Sequence, residues 1–284
     1  MQKILKDNLH IQYFLILSTV LFLFYSLKGE MLNSYVVFNG DAAFYLSTGK
    51  LISQGLIPFN DYWDHKTPFI HYFSYLCYQL FDGSYFGGIY TTTIAIIFTF
   101  LIWLSMIIRE NYKIAFLFIF IYYILIKTNN EWMFMGETFC FFLTSFSCFF
   151  LFNKKTPNIL STFFGFFLLF FSFLVKQLII FDSILVIIFF IFYFDFWKNK
   201  LLKFSSLILI ASVAAFLFNI TPLILTNSID SFIQSFLHNF SYAQNRLGFN
   251  LNSYNLSHSL PLFGTLAIIS LCLFFARKSI KDVT

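Results

Sequence analysis

Charged residues are scarce in this chain. Asp, Glu, Lys and Arg make up 11% of its 284 residues, against about 25% in an ordinary soluble domain. With 59% apolar residues, 46 phenylalanines and a mean hydropathy of +0.77, that scarcity excludes a water-soluble globular protein. No interval free of apolar runs is long enough to bury a core of its own, so a separate soluble domain is not expected. Paired cysteines are missing too. Cys77, Cys140, Cys148 and Cys272 all lie inside apolar runs and form no CxxC, which leaves them as packing residues. There is no glycine-rich phosphate loop, which removes a nucleotide cradle. There is no internal repeat either, and a transporter would be expected to show paired ones. The N-terminal MQKILKDN segment lacks a small-residue cleavage site and reads as the flank of an uncleaved first span acting as its own signal.

What is there is a series of apolar runs separated by short polar intervals, the pattern of an all-α polytopic membrane protein. The runs fall at Ile11–Leu27, Ile89–Ile108, Ile114–Ile126, Phe139–Phe152, Ile159–Val175, Leu178–Trp197, Phe204–Leu225 and Leu260–Ala276. A ninth piece, Phe69–Phe81, is amphipathic and only thirteen residues long. If it does not span, twelve of the eighteen basic residues fall on the side of Lys3 and Lys6; if it does, only about five do. Basic residues concentrate on the cytoplasmic side of membrane proteins. The net charge of +5 is accordingly a topology signal, not a nucleic-acid footprint. Phe69–Phe81 is therefore expected to be a membrane-surface or re-entrant helix. The expectation is one integral membrane domain over 1–284 with about eight spans and a cytoplasmic N-terminus. Large external loops are expected at 29–86 and 227–259. Within the second, Ile229, Phe232, Ile233, Phe236, Leu237 and Phe240 fit an amphipathic interfacial helix that serves as a lid or groove wall, or simply as a connection.

The first external loop carries the chemistry. Its stretch GDAAFYLSTGKLISQGLIPFNDYWDHKTP holds Asp41, Asp61, Asp64, His65 and Lys66 between membrane-grade apolar runs. Ionisable groups at a bilayer boundary are costly to desolvate and mark functional sites. Asp41 follows Gly40 and precedes a helical pattern, so it suits a helix cap; a carboxylate there also suits a general base whose pKa burial would raise. Lys66, beside a proline turn, suits binding a phosphate. Tyr62 and Trp63 fit an interfacial aromatic belt equally well. Asp61, Asp64, His65 and His71 could hold a divalent metal, although their spacing matches no strong metal signature. Glu137 opens a later run, with Glu131 nearby, and Lys176-Gln177 divides two runs. Lys176 suits either snorkelling or a second phosphate contact, and Arg246 in the late loop is a third cation. All of these fall on the external side of the expected topology.

The residues Asp41, Tyr45, Gly49, Ile52, Gly55, Pro58, Phe59 and Asp61, followed by Trp63, His65, Lys66 and Pro68, carry a resemblance. Their spacing resembles the first external loop of the GT-C glycosyltransferases, in the branch of the protein O-mannosyltransferases and aminoarabinose transferases. Glu137-Thr-Phe at a span start and Lys176-Gln177 are similar to that branch as well. Thr67 stands where many relatives have a first proline, and the chain is short for the family. The resemblance implies inverting transfer of a sugar from a polyprenyl-phosphate donor to a lipid, glycan or protein acceptor at the outer face of a plasma membrane, bacterial by the family's habit. In that reading Asp41 is the general base and Glu137 the second acid. Lys66, His65, Lys176, Gln177 and Arg246 bind the donor phosphate, and Tyr45, Asp61, Trp63 and Asp64 line the cavity. The alternatives are a polytopic transporter or flippase of a lipid-linked or anionic substrate, and an inactive, truncated relative.

Overall fold

The computed structural model describes residues 40–64, 66–83, 86–110, 136–152, 158–175, 180–193 and 201–246. Every regular element among them is an α-helix. In order they are α1 (Gly40–Ser53), α2 (Pro68–Leu80), α3 (Phe86–Glu110), α4 (Gly136–Phe152), α5 (Ile159–Val175), α6 (Ile180–Tyr193), α7 (Leu201–Leu225) and α8 (Ile229–Arg246). The all-α expectation holds. Helices α3 to α7 fall on five of the expected spans, while the runs at 11–27, 114–126 and 260–276 lie outside the described residues. The Leu202–Leu225 stretch of α7, 24 residues, is long and apolar enough to cross a membrane; the apolar stretches Tyr90–Trp103, Thr138–Phe152 and Ile159–Val175 are shorter.

The bundle is centred on α4 and α5, with α3 against α4 and α7 against α5. Its core is largely aromatic. Phe166 meets Phe190 and Phe204 at ring separations of 5.4 and 5.6 Å, and Trp103, Phe100 and Leu151 are fully enclosed. Small polar side chains sit between the helices and bond across them. Trp103 Nε1 donates to Ser145 Oγ at 2.8 Å, and Ser172 Oγ donates to the Cys140 carbonyl at 3.0 Å. Thr144 and Ser172 share a 2.9 Å hydroxyl contact, and Cys140 Sγ donates to the Ser172 carbonyl at 3.3 Å. Large apolar groups point outward instead: Tyr90, Ile94 and Phe98 on α3, and Leu209, Val213, Phe216 and Leu217 on α7.

Helices α1 and α2 lie within the first expected external loop, as a hairpin against this bundle. A β-carbon at Gly49 would lie 2.6 Å from the Ser74 carbonyl oxygen, so only glycine lets the two backbones approach this closely. The contact is locked by Ser74 Oγ, which donates to the Tyr45 carbonyl. Gly49→Ala is expected to destabilise the hairpin by about 1–3 kcal/mol, the usual cost of overpacking, read as a lowered Tm of the protein in detergent. The helix ends are also specified locally. At α1, Leu56 N–H donates to Leu51 C=O (3.1 Å) and Gly55 N–H to Ile52 C=O (3.0 Å), with Gly55 at φ 91°. This is the Schellman termination, which favours glycine at the left-handed position. The same pair of bonds closes α7, from Ser228 to Leu223 and from Asn227 to Ile224, with Asn227 at φ 51°. The chain thus turns sharply from α7 into α8.

Candidate functional site

The site is built by the segment 54–67, which connects α1 to α2. Asp61 holds the turn together: its Oδ2 accepts from Ile57 N–H at 2.6 Å, and its own N–H donates to the Ile57 carbonyl at 3.0 Å. The same turn throws Phe59 into the left-handed region at φ 72°. That strained conformation costs about 1–2 kcal/mol and places the Phe59 ring in the interior. Asp61, expected to line a cavity, is an exposed residue whose carboxylate shapes its own loop.

Beneath the turn lies His71, in the first turns of α2 and fully buried. Its imidazole is enclosed by Phe44, Tyr45, Phe59 and Tyr62, all edge-to-face, with ring separations of 6.3, 6.3, 5.5 and 5.7 Å. Asp64 Oδ2 lies 3.0 Å from His71 Nε2 and is itself 5% exposed. The approach is within ion-pair range but is not aligned as a hydrogen bond, and His71 Nδ1 has no hydrogen-bond partner among the described residues. A carboxylate so buried needs a partner, because desolvating a charge costs several kcal/mol. Burial, then Tyr72 and the negative charges of Asp64 and Asp61, raise the Tyr62 phenol far above its ordinary pKa. Burial likewise raises Tyr72, whose hydroxyl shares a 3.2 Å contact with Thr226 Oγ1.

Several contacts tie this loop and the α2 that follows it to distant parts of the chain. Ser235 Oγ of α8 donates to the Asp64 carbonyl at 2.5 Å. Phe232 of α8 packs on Phe59 at 5.1 Å, and His238 lies edge-on to Trp63 at 5.8 Å. Helix α8 is thus a cover over the loop, as the amphipathic pattern allowed, with Ile233 and Leu237 left bare. On the other side, Thr67 caps the start of α2 without using its hydroxyl for the cap. That hydroxyl donates instead to the Val175 carbonyl at 3.3 Å, the last residue of α5 before Lys176-Gln177. Finally, Phe73 packs on Phe139 at 4.7 Å, which draws the start of α4 to α2.

These contacts bring most of the predicted residues to one end of the bundle. Asp41 stands in the first turn of α1, one turn before Tyr45, and Glu137 in the first turn of α4, two residues before Phe139. Tyr45 and Phe139 belong to one apolar cluster. Asp41 lies within α1, one residue after Gly40; an acid near a helix start is favoured by the helix dipole. Lys66 is half-buried and Trp63 is 51% exposed. Arg246 is the last residue of α8, a length of helix away from Ser235. His65, Glu131, Lys176 and Gln177 lie outside the described residues. No three His, Cys, Asp or Glu among the described residues gather as metal ligands: the Asp61 carboxylate is held by its own turn, while Asp64 and His71 face each other. Sequence reasoning saw His71 only as a possible metal ligand and did not single out Phe44, Ser235 or His238. The buried-face spacing of Ile70, His71, Ser74 and Cys77 along α2 was the available signal for His71.

Comparison of the chain with protein-family models, with curated proteins and with solved structures gives no match.

Proposed function

We propose that the chain is a multi-pass membrane glycosyltransferase with about eight spans that moves a sugar from a polyprenyl-phosphate donor to an acceptor at the external face. The membrane reading is supported by a bundle with apolar side chains on its outside and hydroxyls between its helices. Lipid offers no hydrophobic drive for helix association, so small and hydroxyl residues mediate it. It is supported too by the 24-residue apolar stretch of α7. The runs outside the described residues complete the count, and the basic residues orient the N-terminus to the cytoplasm.

One observation carries the catalytic reading. Thr67 Oγ1 donates to the last carbonyl of α5, and Phe73 packs on Phe139 at the start of α4; this supports a site at one end of the bundle built from the helices that bear Lys66, Glu137 and Asp41, with Lys176 next in sequence after α5. That combination suits displacement at an anomeric carbon. The acceptor oxygen bonds to the sugar carbon as the carbon–oxygen bond to the phosphate breaks, and the electron pair leaves with the polyprenyl phosphate. Asp41 takes the acceptor proton, and Lys66, with Lys176, neutralises the departing phosphate. Arg246 serves the same phosphate if the end of α8 folds over it. The exposed Trp63 offers a face for sugar or acceptor.

Lys66→Ala is expected to raise the donor KM roughly 10- to 100-fold, the worth of a charge-assisted hydrogen bond. Steady-state turnover of a radiolabelled polyprenyl-phosphate sugar by the purified protein in lipid measures it. Unchanged KM removes Lys66 from the phosphate.

A further inference from the structure

Lys66 is held in place from both sides. Two residues before it, the Asp64 carbonyl accepts from Ser235 at 2.5 Å, and the buried Asp64 carboxylate lies 3.0 Å from His71 Nε2. One residue after it, Thr67 is anchored to the Val175 carbonyl at 3.3 Å, and Pro68 begins α2. An ammonium on a four-carbon stem is otherwise a mobile charge. A cation that must meet a phosphate gains from a backbone fixed beforehand, because its ordering is not charged against binding. The buried Asp64–His71 contact is an unusual feature to maintain for loop closure alone, since Asp61 already closes the turn.

We propose that Asp64 and His71 are a positioning pair that fixes Lys66 for an anionic phosphate, with Ser235 of α8 making that fixation depend on the cover being seated. The proposal rests on the phosphate-sugar reading of the site. The pair does not touch the substrate. Its effect reaches the phosphate by holding Asp64, two residues before Lys66, so it governs donor affinity and not the chemical step.

A double-mutant cycle tests this. Asp64→Asn is expected to raise the donor KM roughly tenfold with kcat within about twofold. In a Lys66→Ala background the same change is expected to add nothing further, because the residue being positioned is gone. Ser235→Ala, which removes a single hydrogen bond, is expected to raise KM by a smaller factor and serves if Asp64→Asn does not fold. Additive losses, or a fall in kcat at constant KM, overturn the proposal. A second measurement is independent of turnover: labelling with an amine-reactive reagent, read by mass spectrometry of the full chain in lipid. Labelling of Lys66 is expected to accelerate several-fold in Asp64→Asn and Ser235→Ala, with the exposed Lys50 of α1 unchanged. If no donor is turned over yet Lys66 labelling accelerates, the transferase reading fails and the positioning pair stands. If Lys66 labels at the wild-type rate in both variants, the pair does not position it.

Discussion

Asp41→Asn is expected to lower sugar transfer by roughly 10²- to 10⁴-fold, the range that a positioned general base supplies, while donor binding persists. The substitution keeps the shape and polarity of the side chain and removes only its ability to accept a proton. Asp41 stands in the first turn of α1, and the next turn is anchored. Tyr45, one turn later, packs on His71 at 6.3 Å, and its carbonyl accepts from Ser74. A helix so anchored carries residue 41 at the same end of the bundle as the start of α4, which bears Glu137. Glu137→Gln is the useful comparison, since a second acid that only lines the cavity costs less than the base. Parallel assays of transfer and of donor binding by the two variants decide the assignment. If Asp41→Asn transfers at the wild-type rate, another group takes the proton.

His71→Ala is expected to destabilise the protein by about 3–5 kcal/mol, because it removes the imidazole that faces the buried Asp64 carboxylate at 3.0 Å and leaves a cavity among four rings. The size of the effect comes from burial, since the same pair on the surface would contribute about 0–1 kcal/mol. Removing both members tests the cause. His71→Phe with Asp64→Leu is expected to lose far less than the two single changes summed, because an apolar pair of similar volume carries no desolvation cost. Thermal unfolding of the four proteins in one detergent measures this. Additive single-site losses would mean that the two side chains act on stability separately.

Helix positions were legible because apolar runs are long-range signals that tolerate local ambiguity. The run at 159–175 and α5 coincide, and the pattern at 229–240 anticipated α8. The segment 40–68 stood out as a candidate site because charge is rare in this chain, so that five ionisable groups together are conspicuous. The organisation within it was not. Ser235 and Asp64 are 171 residues apart, and nothing in either local pattern announces their bond. His71 could be read as a ligand because a histidine among aspartates has that chemistry. Its enclosure by Phe44, Tyr45, Phe59 and Tyr62 depends on the close approach of α1 and α2 at Gly49 and on the positive φ of Phe59. Asp61 and Asp64 look alike in sequence, three positions apart, yet one closes a turn in solvent and the other is buried against an imidazole. Only the turn geometry separates them.

The central claim is that a phosphate-linked sugar donor meets Asp41 and Lys66 at one end of this bundle. The most direct measurement is sugar release or transfer by purified wild-type protein in lipid, across a panel of radiolabelled polyprenyl-phosphate sugars, beside Asp41→Asn. The account predicts turnover of at least one donor by the wild type, with the variant binding that donor and failing to transfer it. Folded wild type that binds no donor in the panel would contradict the account and point to transport of a lipid-linked or anionic substrate, or to an inactive relative.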